Sequence, residues 1–347
     1  MTGQWIGTIS GTNSGLAIFD VDGDRPSVAL LQVADSVQSF SAQANIGTDG
    51  ASVTGDLHSF FAGPLAAGVR LPTRGKFTGV INGDSLSGRW ETDVATQGGF
   101  ELERCDVPRS QPADHSMTWS EFREWAFEQR QTPSLLFRGQ KDSTRPLTTT
   151  FHRTGRRSLS RYGLEDVPNL LRGVEAELDA TFDLANPADF GRLVGLAQHH
   201  GYPTPLSDWT ESPFVAAFFA FSRLSKLSVD PERRVRVFAF DTKNWPHGKV
   251  QSIGDIGPRF APLALRLAHN RRAIPQQSIH MFSNVVDIER FIGHIEREKR
   301  AKFLQRVDIS VTERPSAMAD LYAMGVTAAA LFPGLDGLCR TLAERAF

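Results

Sequence analysis

Residues 1–106 alternate apolar and polar side chains in short runs broken by Asp-Gly and Asn-Gly pairs, a pattern that pleated strands satisfy and helices do not. The runs are Trp5-Ile6-Gly7-Thr8-Ile9, Leu16-Ala17-Ile18-Phe19, Val28-Ala29-Leu30-Leu31, Phe77-Thr78-Gly79-Val80-Ile81 and Leu86-Ser87-Gly88-Arg89-Trp90. Asp22-Gly23, Asp49-Gly50 and Asn82-Gly83 tolerate the positive φ of tight hairpins. Six or more short strands at this spacing predict a small antiparallel barrel or sandwich.

The β pattern stops near residue 106. Residues 107–116, polar with two prolines, read as a linker, and 117–347 as a second domain. A chain of 347 residues exceeds one typical core, so two domains fit its length. With a net charge of −1, no global field steers it toward nucleic acid or membrane. Cys105 and Cys339 are too few and too far apart for a disulfide framework or a zinc cluster. The N-terminus lacks a basic stretch followed by an apolar one, and the apolar run Phe214–Phe221 is too short to cross a bilayer. The expectation is a reduced, cytoplasmic protein without a membrane partner.

Beyond the linker, strands and helices mix, which makes the whole chain α+β. Thr118 with Glu121 three residues on forms a capping box for a helix that ends at Thr132-Pro133. Leu135–Arg138, Val235–Phe240 and Ser278–Phe282 read as strands, and Val174–Leu184 and Phe190–His199 as helices. Pro213–Leu224 is apolar all round and predicts a buried helix, with Ser212 as N-cap and Pro213 in the first turn. Leu331–Asp336 reads as a strand running into a turn and a last helix.

Three segments resemble the FRG family in sequence and in order. They are Phe137-Arg138-Gly139-Gln140, the long stretch from Leu196 through Gln198-His199-His200-Gly201 and Leu206-Ser207-Asp208-Trp209-Thr210-Glu211-Ser212-Pro213 to Ala220, and Leu331–Leu338. Where the family carries Thr-Arg-Leu-Leu-Asp-Trp-Thr, this chain has Pro205 for the arginine and Ser207 for the second leucine. The opening Gly3-Gln4-Trp5 is similar to the first strand of small ligand-binding barrels; the plainer reading is a glycine that lets Trp5 close one barrel end.

The same segments are similar to ADP-ribosyltransferases of the Arg-Ser-Glu type, which place an arginine on an early strand, hydroxyls on a second strand before a helix, and a carboxylate on a late strand. Phe137-Arg138-Gly139 resembles the first element and Asp208–Ala216 the second; the third falls at Gln276-Gln277-Ser278, where there is no carboxylate. The resemblance implies a mixed α/β ADP-ribosyltransferase-like domain that uses NAD. It also implies a toxin or anti-phage defence effector with an unknown macromolecular acceptor, protein or nucleic acid.

Cleaving the nicotinamide bond builds positive charge on the ribose. Arg138 suits the diphosphate, because a guanidinium makes forked bonds to phosphate. Asp208, Thr210 and Ser212 are candidates to position the ribose, Trp209 to stack on a ring, and His199 to move a proton. Gln277 offers a hydrogen bond but no negative charge, so Asp208 or Glu211 supplies it, or the chemistry is slow, or the site only binds. Each residue has a plainer role: Arg138 pairing a buried acid, Asp208 and Thr210 capping a helix, Trp209 in the core, His199 and His200 bonding carbonyls. Adjacent histidines without a cysteine pair make no metal set. Arg153, Arg156 and Arg157 form a basic run that reads as a solvated face or a phosphate contact. Two functions therefore stand side by side: an NAD-using transferase, and a module that binds a nucleotide or partner without breaking a bond.

Overall fold

The computed structural model describes all residues except 36–38, 63–64, 66–67, 106–108, 130, 179, 223, 225–229, 249–256, 264–271 and 347. The strands of the first part are β1 (Gly3–Gly11), β2 (Gly15–Val21), β3 (Val28–Asp35), β4 (Phe40–Asp49), β5 (Ser52–Ala62), β6 (Gly75–Asn82), β7 (Ser85–Thr92) and β8 (Gln97–Arg104). Each pairs antiparallel with the next, and β8 returns to β1 from Trp5↔Arg104 to Gly11↔Gly98, so the sheet closes into a barrel. Two-residue loops join β4 to β5 and β6 to β7, with Gly50 at φ 56° and Gly83 at φ 61°. Asp22-Gly23 instead opens a longer loop, and Gly23 is not left-handed.

The second part contains β9 (His115–Met117), α1 (Trp119–Gln129), β10 (Leu135–Gln140), α2 (Thr150–Arg153), α3 (Leu159–Arg161), α4 (Val167–Leu178) and α5 (Pro187–His199). It continues with β11 (Leu206–Thr210), α6 (Pro213–Phe221), β12 (Arg234–Asp241), β13 (Phe260–Pro262), β14 (Ser278–Ser283), α7 (Ile288–Lys299) and β15 (Leu304–Ser310). α8 (Arg314–Ala323), α9 (Ala328–Leu331) and α10 (Leu335–Ala346) complete it. Among the described residues the strands form one mixed sheet, β13-β14-β11-β10-β12-β15-β9, antiparallel except where β9 runs parallel to β15. The capping box of α1 forms as read: Thr118 N–H donates to Glu121 at 2.7 Å, and Glu121 N–H to Thr118 Oγ1 at 3.3 Å.

Two expectations shift. The segment read as helical over 174–184 belongs to α4, which begins at Val167 and ends at Leu178; Ala180 to Asn186 turn back, with Asn186 capping α5. Leu331–Asp336 is no strand. Leu331 ends α9, and left-handed Gly334 leads into α10; Leu331 and Phe332 join the core while Leu335 is exposed.

α6 packs under one sheet face, its Val215, Phe218 and Phe221 against Phe137, Val237 and Ile309. The other face, with Leu136, Trp209, Phe238 and Phe240, is covered by α7 and by Ile6 and Ile18 from the outer wall of the barrel. Buried polar groups stitch the same junction. Gln4 Nε2 donates to Asp20 and to the Asn284 carbonyl, both at 2.8 Å, while Gln4 Oε1 accepts the Val286 N–H at 2.7 Å. Asn284 Nδ2 donates to Gln32 at 2.5 Å.

Arg153 of the basic run is exposed, but Arg156 and Arg157 are not a free face. Arg156 lies 3.2 Å from Asp22 and 2.7 Å from Asp166, and the backbone N–H groups of Arg157 and Ser158 donate to Asp22. Asp22 thus sits where a turn signal was read and clamps the barrel to the second part. The start of the segment read as a linker, Val107 and Pro108, lies outside the described residues. Further along it, Ser110, Gln111 and Asp114 are tied to Glu289, Arg236 and Arg306.

Candidate functional site

β10, β11 and β14 lie side by side, so the three segments of the ADP-ribosyltransferase resemblance meet in one sheet. Phe137 pairs with Thr210, and Asp208 with His280. Arg138 is half-buried; its Nη1 donates to the Asp208 carbonyl oxygen at 2.5 Å, and its Nε is buried without a partner. Burial lowers the Arg138 guanidinium, Asp208 partly offsets this, and the nearby Arg153 lowers it again. Arg138 therefore binds the backbone beside Asp208 and leaves the carboxylate to other partners.

Gln198 is hydrogen-bonded to the carboxylate, and the His280 ring stands close to it without a hydrogen bond. Gln198 Nε2, on the last turn of α5, donates to Asp208 Oδ1, and Gln198 Oε1 accepts the Thr204 hydroxyl at 2.9 Å, which fixes the amide's orientation. His280 Nδ1 stands 3.0 Å from Asp208 Oδ1. The Asp208 side chain is 62% accessible. Burial alone would raise its carboxyl. The His280 imidazole, the Arg138 guanidinium and the Gln198 amide outweigh that and hold it at about 2. Asp208 is thus ionised, oriented and open to solvent.

The other residues singled out from sequence are placed differently. Trp209 is 2% exposed, packed against Phe238, Phe240 and Phe260, with its indole N–H bonded to Ser207. The Thr210 hydroxyl donates to the Gln276 carbonyl at 2.7 Å and accepts the Ser212 N–H at 3.1 Å. Ser212 Oγ accepts the Val215 N–H and caps α6. Gln277 is exposed in the left-handed region at φ 46°, and its carbonyl accepts the Glu211 N–H at 3.1 Å. His199 is half-buried with Nε2 unpartnered; its neighbour Gln198 is the α5 residue that reaches Asp208. Of the expected set, then, the structure brings Arg138 and Asp208 together. It adds Gln198 and His280, which sequence reasoning passed over, and Arg153, which was read only as part of the basic run. Gln198 stood inside the long motif and His280 inside a strand already read, but only the strand register pairs His280 with Asp208.

Residues 133–228 match the family model of the FRG domain. No curated protein matches the chain. Among solved structures, the chain is similar to a redesigned β-barrel, mFAP1, bound to DFHBI, at 12% identity over 30% of this chain and 94% of that one, with a TM-score of 0.23. A fluorescence-activating β-barrel designed de novo matches at 11% identity over 30% and 93%, TM-score 0.22. A REP1-NXSQ fatty acid transporter matches at 8% over 30% and 96%, TM-score 0.19. Among the described residues, no helix is long and apolar enough to cross a membrane.

Proposed function

We propose that the FRG domain of this chain binds an anionic nucleotide, with NAD the first candidate, at the surface cluster of Arg138, Arg153 and Asp208. One observation carries the reading: an ionised, accessible carboxylate, hydrogen-bonded by Gln198 and 3.0 Å from His280 Nδ1, stands in the field of two guanidinium groups. The cations suit a diphosphate, and the fixed carboxylate suits a ribose hydroxyl or the positive charge that develops when a glycosidic bond opens. Asp208 thereby takes the part for which Gln277 lacks the charge. A toxin or defence role, with ADP-ribose passed to a protein or nucleic acid, is the wider form of this reading.

A second reading, binding without turnover, is favoured by Thr210 and Trp209, whose polar groups are already spent on the scaffold. Calorimetric titration of the full chain with NAD, run beside a nicotinamide-release assay, separates the two. Arg138→Ala is expected to weaken NAD binding by about 2–4 kcal/mol, roughly 30- to 1000-fold, with little change in Tm. Asp208→Asn is expected to impair release more than binding. Binding without release leaves the module reading. No binding by the wild type, or a collapse of Tm on Arg138→Ala, makes Arg138 a structural residue and ends the nucleotide reading.

A further inference from the structure

The barrel is packed at one end and hollow at the other. Trp5, Val21, Ala29, Ile46 and Val53 fill the end where β1 begins, and the Trp5 indole N–H donates to the Met1 carbonyl at 3.1 Å. The plain reading of Gly3-Gln4-Trp5 therefore describes that end. Toward the end of β1 the interior is a cavity of ≈ 470 Å³, lined by Ile9, Ala17, Leu31, Leu57 and Leu86 and by a cluster of aromatic rings. Phe19, Phe77 and Phe100 meet edge to face at 5.4 and 6.0 Å along one wall, with Phe40, Phe60 and Trp90 also lining it. Protein interiors are close-packed, with few voids larger than a water. A void this size falls in the range of small-molecule sites, and its wall gives water few polar partners.

The mouth is polar and asymmetric. Asn13, Thr92, Asp93 and Thr96 line it, but their polar groups are engaged: Asn13 with Asp35 at 3.0 Å, Thr92 with Thr96 at 2.6 Å, and Asp93 with the Thr73 N–H and hydroxyl. Arg70 also lines the mouth, is exposed, and has no hydrogen bond or ion pair among the described residues. Barrel residues that dock it to the second part include Gln4, Ile6, Ile18, Asp22, Arg25 and Gln32, none of which lines the cavity.

We infer that the barrel is a binding site for a small, ring-bearing apolar molecule with one anionic group, its rings among Phe19, Phe77 and Phe100 and its anion at Arg70. The inference does not depend on the nucleotide reading of the FRG domain. Edge-to-face aromatic walls favour flat rings over flexible chains, since an inserted ring meets the positive edges and negative faces of its neighbours without losing many rotamers. A guanidinium at an otherwise satisfied mouth selects the charge.

The test titrates the full chain with 8-anilinonaphthalene-1-sulfonate, which has both features, and with uncharged N-phenyl-1-naphthylamine. Both are expected to bind saturably at one site. Arg70→Gln is expected to weaken the sulfonate by roughly tenfold and leave the neutral probe unchanged. Ala17→Phe, which fills the cavity, is expected to weaken both by more than roughly tenfold while near-UV circular dichroism and Tm stay native-like. Leu31→Trp serves in its place if Ala17→Phe fails to fold. No saturable binding of either probe, or binding that survives a folded cavity-filling variant, overturns the site. Equal responses of the two probes to Arg70→Gln overturn the assignment of the anion.

Discussion

Asp287 shows how a cap and a charge pull against each other. It accepts the Arg290 N–H at 3.0 Å as N-cap of α7, while its Oδ2 is buried without a partner. Burial pushes its carboxyl up to about 6; the Arg290 N–H and Arg306 pull down and Glu289 pushes further up. The folded protein therefore holds this proton more tightly than the unfolded chain, whose carboxyl titrates near ~3.9. The stability that follows is full below that value and is lost as pH rises through about 6. Asp287→Asn keeps a good cap and removes the charge. It is expected to gain about 1–3 kcal/mol at pH 7 and nothing at pH 4, measured by urea unfolding at both values; a loss at pH 7 would contradict the linkage. At this scale the sequence was partly legible. Arg138 and Asp208 stood out because a cation closing an apolar strand and an acid before a helix are visible in one dimension. Gln198 and His280 were not, because their role comes from register and from Thr204 turning the Gln198 amide.

At the scale of elements, the Phe137-Arg138-Gly139 tripeptide has a three-part mechanical meaning. Phe137 faces the α6 core, Arg138 binds the Asp208 carbonyl, and Gly139 lets α6 approach the strand. A Cβ on Gly139 would stand 1.8 Å from the Ala216 carbonyl oxygen and 2.8 Å from the Ala220 nitrogen, so α6 can lie this close only over a glycine. Both neighbours are helix backbone and cannot rotate aside. Gly139→Ala is expected to cost about 3 kcal/mol, as overpacking against fixed atoms does, and to lower Tm. A loss below about 0.5 kcal/mol, the size of a surface change, would show that α6 shifts freely. The helix itself was legible, since Ser212-Pro213 before an all-apolar run leaves few alternatives. Its distance from β10 was not, because close approach is a property of two segments about 75 residues apart.

For the whole molecule, the barrel acts as a layer of the second part's core rather than a separate bead. Two of its hairpin turns, at Asp49-Gly50 and Asn82-Gly83, were legible because those pairs carry local φ information. The docking was not, because Ile6 and Ile18 point outward from a barrel that sequence reasoning could only fill inward. Gln4 is fully buried and joins Asp20, the Asn284 carbonyl and the Val286 N–H across the junction. Gln4→Ala leaves the Val286 N–H and the Asn284 carbonyl without that partner, each in the interior, and is expected to cost about 3 kcal/mol. Ile6 and Ile18 share a core with Trp209 and Phe240, so disturbance on one side should reach the other. Calorimetry of the full chain is expected to show one unfolding transition with matching calorimetric and van't Hoff enthalpies, which Gln4→Ala lowers as a whole. The same variant should open both halves together to limited proteolysis. Two resolved transitions, with only the barrel's moved by Gln4→Ala, would show two independent domains that merely touch. The ties of Ser110, Gln111 and Asp114 to Glu289, Arg236 and Arg306 argue for the single transition, because they hold the chain to the second sheet immediately after the barrel ends.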